Sequence, residues 1–152
     1  MSMHKSLLVL TAAAALASCA PPAASTSTAS TASSFVVGTL DTSDTAIQGC
    51  TVMLSRADAE SAGYVFIEDG VDVGAKGFVR IDGAILQLDL LSSEGDDNGG
   101  VRTFAKDGTQ LVETWTAGAA NEASDSVGRD ATLVITRGGA AQTVRVVGGV
   151  AC

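Results

Sequence analysis

Histidine is nearly missing from this chain. Its one His is His4, in a segment that reads as cleaved, so the mature protein would contain no imidazole. That excludes His-based general acid–base catalysis, Ser-His and Cys-His nucleophiles and His metal ligation. Positive charge is scarce too: nine Lys+Arg face seventeen Asp+Glu, for a formal charge of -8, and no basic cluster occurs. A nucleic-acid or anionic-lipid footprint needs such a cluster, so no nucleic-acid partner is expected. There is no Cys-x-x-Cys redox pair. Lys76 and Lys106, the lysines beyond Lys5, have no Ser-x-x-Lys context. No spacing among the seventeen acids singles out a catalytic pair. The chain therefore reads as a non-enzyme without a cofactor, and its 152 residues allow one modest globular domain.

The N-terminus has the parts of an export signal. His4 and Lys5 form a short basic region, Leu7 to Leu16 an apolar run, and Ala17 and Ser18 follow as small residues. The run is shorter than the roughly 20 residues a permanent membrane helix needs. Its end, Leu16-Ala17-Ser18-Cys19, resembles the lipobox of bacterial lipoproteins at all four positions. The resemblance implies a signal peptide over 1–18, alkylation of the Cys19 thiol by diacylglycerol, and cleavage before Cys19. The new amino group would then be open to acylation, palmitate being a typical chain. Two or three acyl chains hold a soluble domain on a membrane without a spanning helix. By similarity with lipoprotein sorting in diderm bacteria, Ala20 rather than Asp after Cys19 implies the outer membrane, facing the periplasm. The alternative is an ordinary secretory peptide cut near Ala20.

From Ala20 to Ser34 the chain is Pro, Ala, Ser and Thr alone. It cannot bury enough apolar surface to offset its ordering entropy, so residues 19–34 read as a lipidated Cys and a disordered tether.

Residues 35–152 carry the punctuation of an all-β domain. Asp69-Gly70, Asp82-Gly83, Asp107-Gly108 and Gly138-Gly139 sit between short apolar or alternating runs. Such pairs tolerate positive φ in two-residue hairpins. Leu86, Leu88 and Leu90 alternate with Gln87 and Asp89, and Val144 and Val146 with Thr143 and Arg145. Period two means one face in and one face out. Strands are expected near 35–40, 48–54, 64–68, 76–81, 84–91, 101–106, 110–117, 131–137 and 141–147. About eight or nine short strands point to a small antiparallel barrel or closed sandwich. A barrel inserted in the outer membrane is disfavoured, because membrane strands run about 9–11 residues between aromatic girdles. Tyr64, Phe66, Phe78, Phe104 and Trp115 fall on strands and read as core, with an exposed Tyr64 or Trp115 in a binding patch as the other possibility.

With Cys19 assigned to lipid, Cys50 and Cys152 remain. An even pair in an exported domain is most simply a disulfide, the alternative being two free thiols. The acidic loop expected over 92–100 places Glu94, Asp96 and Asn98 on the first three ligand positions of an EF-hand template, with Gly99 at its turn. The template then fails, since its first position should be Asp and its twelfth falls on Ala105 rather than Glu. No metal site is expected beyond that weak calcium candidate. A second long connection, 118–130, carries Asn121, Glu122, Asp125 and Arg129 and is where binding residues could sit.

Two functional classes follow. Cys near the start, Ile81-Asp82-Gly83 followed by Leu alternation, and Cys at the end look like small β-rich bacterial lipoproteins. That resemblance implies a lipid-anchored envelope protein, structural or partner-binding, with a protein partner in the envelope. The alternative is a periplasmic lysozyme inhibitor. Ser61-Ala62-Gly63-Tyr64 is loosely similar to the Ser-Gly-x-x-Tyr motif of the membrane-bound inhibitors, which have an eight-stranded β domain and a disulfide. A net charge near -9, from -8 less Lys5, would steer toward a basic enzyme. The Gly is displaced from the motif, so no inhibitory residue is assigned.

Overall fold

Positive φ at both central positions gives a two-residue turn the twist its flanking strands need. In the computed structural model three of the expected pairs adopt it: Asp82-Gly83 (φ 51° and 82°), Asp107-Gly108 (50° and 75°) and Gly138-Gly139 (57° and 83°). Asp69-Gly70 differs, because Asp69 ends a strand and Gly70 opens a longer connection to Lys76. The structure describes residues 34–47, 49–58, 63–72, 74–121 and 125–152. The expected signal segment, the lipobox-like residues with Cys19, and all of the expected tether but Ser34 lie outside them.

Eight strands follow one another: β1 (Thr51–Arg56), β2 (Phe66–Asp69), β3 (Lys76–Ile81), β4 (Ala84–Asp96), β5 (Gly99–Lys106), β6 (Thr109–Asn121), β7 (Ser126–Arg137) and β8 (Ala140–Ala151). Each pairs antiparallel with the next, and β8 pairs with β1 to close a barrel. The sandwich alternative is thereby set aside. Residues 35–40, expected as a strand, instead make two isolated bridges, Val37 to Ile81 and Leu40 to Tyr64.

That segment is a strap across one end of the barrel. Its own Phe35, Val37 and Leu40 are buried. Arg80 ties it down, donating from Nε to the Thr39 carbonyl (2.8 Å) and from Nη2 to Asp44 Oδ2 (2.7 Å). The turns at 82–83, 107–108 and 138–139 lie at this strap end. The ends of β2 and β6, the starts of β3 and β7, and the turn at 97–98, with Cys50 and Cys152, lie at the other.

Several strands outrun their expected lengths. β4 and β6 have 13 residues and β7 and β8 have 12. The segment expected as an acidic loop is therefore mostly the β4–β5 hairpin, turning at Asp97-Asn98, and the connection expected over 118–130 shrinks to residues 122–125. These stretches are rich in Gly, Ala and Ser and lack apolar alternation, so nothing local marks them as strand. They pair because neighbours complete their ladders, and glycine permits the close approach. A Cβ on Gly148 would lie 1.9 Å from the Met53 carbonyl oxygen.

Strand length alone no longer argues against a membrane barrel, but polarity does. Val52, Leu54, Phe66, Val79, Leu88, Phe104, Leu111, Leu133, Ile135, Val144 and Val146 fill the interior. Gln110, Thr114, Asp130, Thr143 and Arg145 are exposed outside. A lipid-facing barrel has the opposite arrangement. At the centre Phe66 and Phe104 pack edge to face, ring centroids 5.2 Å apart. Gly77 makes room for them, since a Cβ there would meet Phe66 at 2.7 Å.

Cys50 and Cys152 form a disulfide across 102 residues, with Cα atoms 4.0 Å apart. It bridges the residue before β1 to the residue after β8, beside the seam that closes the barrel. Cys152→Ala should lower unfolding free energy by about 2–5 kcal/mol, read from urea denaturation, while far-UV circular dichroism keeps its β signature in the cold. An unchanged urea midpoint would show that the seam holds without the bond.

Candidate functional site

Strict alternation carries four charges into the barrel. Glu68 follows Phe66 by two residues, Arg102 precedes Phe104, Glu113 follows Leu111, and Arg129 precedes Ala131 and Leu133. Each shares the inward face of its apolar neighbour. Glu68 and Glu113 are 0% exposed, Arg102 3% and Arg129 6%. An ion buried alone would be prohibitive, and here each has a partner of opposite sign. Arg102 Nη1 donates to Glu68 Oε2 at 3.0 Å, and its Nη2 lies in ion-pair contact with Glu68 Oε1 at 2.7 Å. Its Nη2 also donates to the Val71 carbonyl (3.1 Å), fixing the β2–β3 connection over it. Arg129 Nη1 donates to Glu113 Oε1 at 3.1 Å.

Two aromatic rings complete the cluster. The Arg129 guanidinium lies 4.1 Å from the centroid of Trp115, and that of Arg102 lies 5.8 Å from Phe104. Such stacking is strongest away from water. Burial pushes the Glu68 carboxyl from an ordinary value of 4.5 up to about 8; Arg102 opposes the shift and the nearby Glu113 charge adds to it. Burial also raises Glu113, against the pull of Arg129. The Nε groups of both arginines, Glu68 Oε1 and Glu113 Oε2 have no hydrogen-bond partner.

Above this cluster, at the end opposite the strap, the lumen opens into a cavity of about 480 Å³. Arg102, Arg129 and Trp115 line it with Val71, Val127 and Val150, whereas Glu68 and Glu113 do not reach its wall. Glu94, Asp96 and Asp97 stand on its outer edge. The mouth therefore presents guanidinium groups inside and carboxylates outside.

The expected site residues meet different fates. Cys50 and Cys152 are bonded to each other, and Cys19 lies outside the described residues. Glu94 and Asp96 stand on the last turn-ward residues of β4, and Asn98 sits in the turn with its N–H donating to Asp96 Oδ1 at 2.8 Å. Among the described residues no three His, Cys, Asp or Glu side chains are grouped to hold a metal. Arg129, expected in a loop, is an inward residue of β7. Asp125 is in the turn after the undescribed residues 122–124. Tyr64 exchanges backbone hydrogen bonds with Leu40 at the strap end, while Ser61 and Ala62 lie outside the described residues. Phe66 and Phe104 are core as expected, Phe78 is half-buried, and Trp115 is half-buried at the mouth.

Sequence reasoning missed the four inward charges and the mouth they support. The signal was present, since Glu68, Arg102 and Glu113 each stand two residues, and Arg129 four, from a large buried apolar side chain on the same strand. Compared with protein-family models, curated proteins and solved structures, the chain has no match in any of the three.

Because the folded barrel holds a proton on Glu68 up to about pH 8 that the unfolded chain releases near 4.5, the folded state binds more protons between these values. Stability from this group is complete below about pH 4.5 and is lost as pH rises toward 8. The melting temperature should fall between pH 5 and 8.5, and Glu68→Gln, which stays neutral, should flatten the fall. A wild-type melting temperature that climbs over this range would show Glu68 ionised throughout.

Proposed function

We propose that the chain is a lipid-anchored lipoprotein of a bacterial envelope, held at the outer membrane facing the periplasm by acyl chains on Cys19. Its disulfide-closed barrel is a binding module that engages its partner through the open mouth. The observation that carries the binding half is the asymmetry of the barrel. One end is plugged by the strap beginning at Phe35, and the other opens on a cavity walled by Arg102, Arg129 and Trp115. Ligand sites in β-barrels form at such mouths, with a few polar groups set among apolar walls. The lipobox over residues 16–19 supports the anchoring half.

Glu68 and Glu113 have raised pKa values of the kind acid–base catalysts use. They are sealed behind guanidinium groups and fully buried, which favours binding over catalysis. The alternative, a lysozyme inhibitor, is supported by an eight-stranded disulfide-bonded domain of negative charge.

Cys19→Ala should end incorporation of labelled palmitate and either release the protein from membranes or leave its precursor uncleaved. Continued labelling would overturn the anchor. Lysozymes of the C, G and I types should keep their turnover in the presence of the protein at micromolar concentration, and inhibition of any of them would put the alternative first.

A further inference from the structure

We propose that the barrel mouth binds a small zwitterion with an apolar body, of the class of amino acids and short peptides, with its carboxylate inward on Arg102 and Arg129 and its ammonium outward at the acidic rim. This deepens the reading of the barrel as a binding module and does not depend on the lipid anchor.

The geometry supplies three parts. Deep in the mouth, Arg102 and Arg129 line the cavity, whereas the glutamates that pair with them are fully buried and do not. The arginine Nε groups are buried without a hydrogen-bond partner, as are Glu68 Oε1 and Glu113 Oε2, so neither ion pair is saturated. A planar fork of this kind suits a carboxylate better than a lysine would. Midway, Val71, Val127 and Val150 offer aliphatic surface. At the edge, Glu94, Asp96 and Asp97 are exposed and reject a second anion while attracting a cation.

Charge order then selects among ligand classes. A simple dianion would satisfy the arginines but face three carboxylates on the rim. A simple cation would satisfy the rim but be driven out by the guanidinium groups. An ammonium and a carboxylate separated by an apolar body satisfy both. The cavity, about 480 Å³, lies within the roughly 300–1,000 Å³ usual for small-molecule sites. The upward shifts of Glu68 and Glu113 add to the effect, because protonated partners leave the guanidinium charge less compensated.

Trp115 is the one tryptophan in the chain, so its fluorescence reads the mouth directly. The full-length protein, purified in detergent, is titrated with the tripeptide Ala-Val-Val, with its C-terminal amide, and with its N-acetyl form. Ala-Val-Val should give a saturable change in Trp115 emission, the amide should bind at least tenfold more weakly, and the N-acetyl form severalfold more weakly. The exposed double substitution Glu94→Gln with Asp96→Asn should erase the penalty for acetylation and keep that for amidation. Removing a whole buried pair, Arg102→Met with Glu68→Met, avoids a stranded charge and should erase the penalty for amidation, with an unchanged near-UV spectrum reporting the fold.

Equal binding of amide and free acid overturns the proposal, as does tighter binding of the N-acetyl form. So does the absence of saturation by about 10 mM, beyond the millimolar edge of specific affinity. If the peptides fail but a lysozyme co-sediments with the anchored protein, the zwitterion assignment falls and the binding module stands.

Discussion

When β8 pairs with β1, from Thr51 opposite Ala151 to Arg56 opposite Val146, the meander has no free edge, and every inward side chain must find its neighbour across a narrow lumen. The rest of the structure answers to that closure. Eight strands leave an interior that side chains can fill, and the chain fills it in two zones. Toward the strap the lumen is aliphatic and aromatic, with Phe66 against Phe104 and Gly77 yielding the space. Toward the disulfide it is charged. The Cys50–Cys152 bond lies beside the seam, so it constrains the unfolded chain and secures the pairing on which both zones depend.

Burying Glu68, Arg102, Glu113 and Arg129 gives up hydration that apolar side chains of similar volume would not lose, so these pairs are poor evidence for stability. Their placement suggests a different use. They stand at the open end, where a wholly apolar lumen would leave a greasy hole, and the arginines line the cavity while Glu68 and Glu113 do not. Trp115 under Arg129 holds that orientation, and the Arg102 bond to the Val71 carbonyl joins it to the β2–β3 connection. Were a ligand to enter the mouth as proposed, side chains already held in place would reduce the ordering cost of binding.

The outer surface carries the complementary constraint. Gln110, Thr114, Asp130, Thr143 and Arg145 are solvated beside the exposed Ile85, Leu91, Val101, Val134 and Val147, while the lumen is mostly apolar, the reverse of a lipid-facing barrel with a polar interior. A domain of that polarity needs a separate device to stay at a membrane, and the Cys19 lipobox would be that device.

Local chemistry in the sequence determined the β class, three of the hairpin turns and the pairing of the two domain cysteines. Asp-Gly and Gly-Gly need no distant partner to favour positive φ, and the two cysteines of the domain have only one another within it. The Phe66 and Phe104 core was legible for the same reason, through alternation on single strands. Tertiary structure alone decided the rest. Gly148 and the Gly-rich ends of β4, β5 and β7 became strand because neighbours approach closely there, which no window of sequence contains. Phe35 to Leu40 looked like a strand and became a strap, since closing β1 on β8 left it no edge to join. The candidate site followed the same division. Glu68, Arg102, Glu113 and Arg129 each showed an inward parity locally, but opposite charges spaced 34 and 16 residues apart in sequence become partners only when the barrel brings their strands around one lumen.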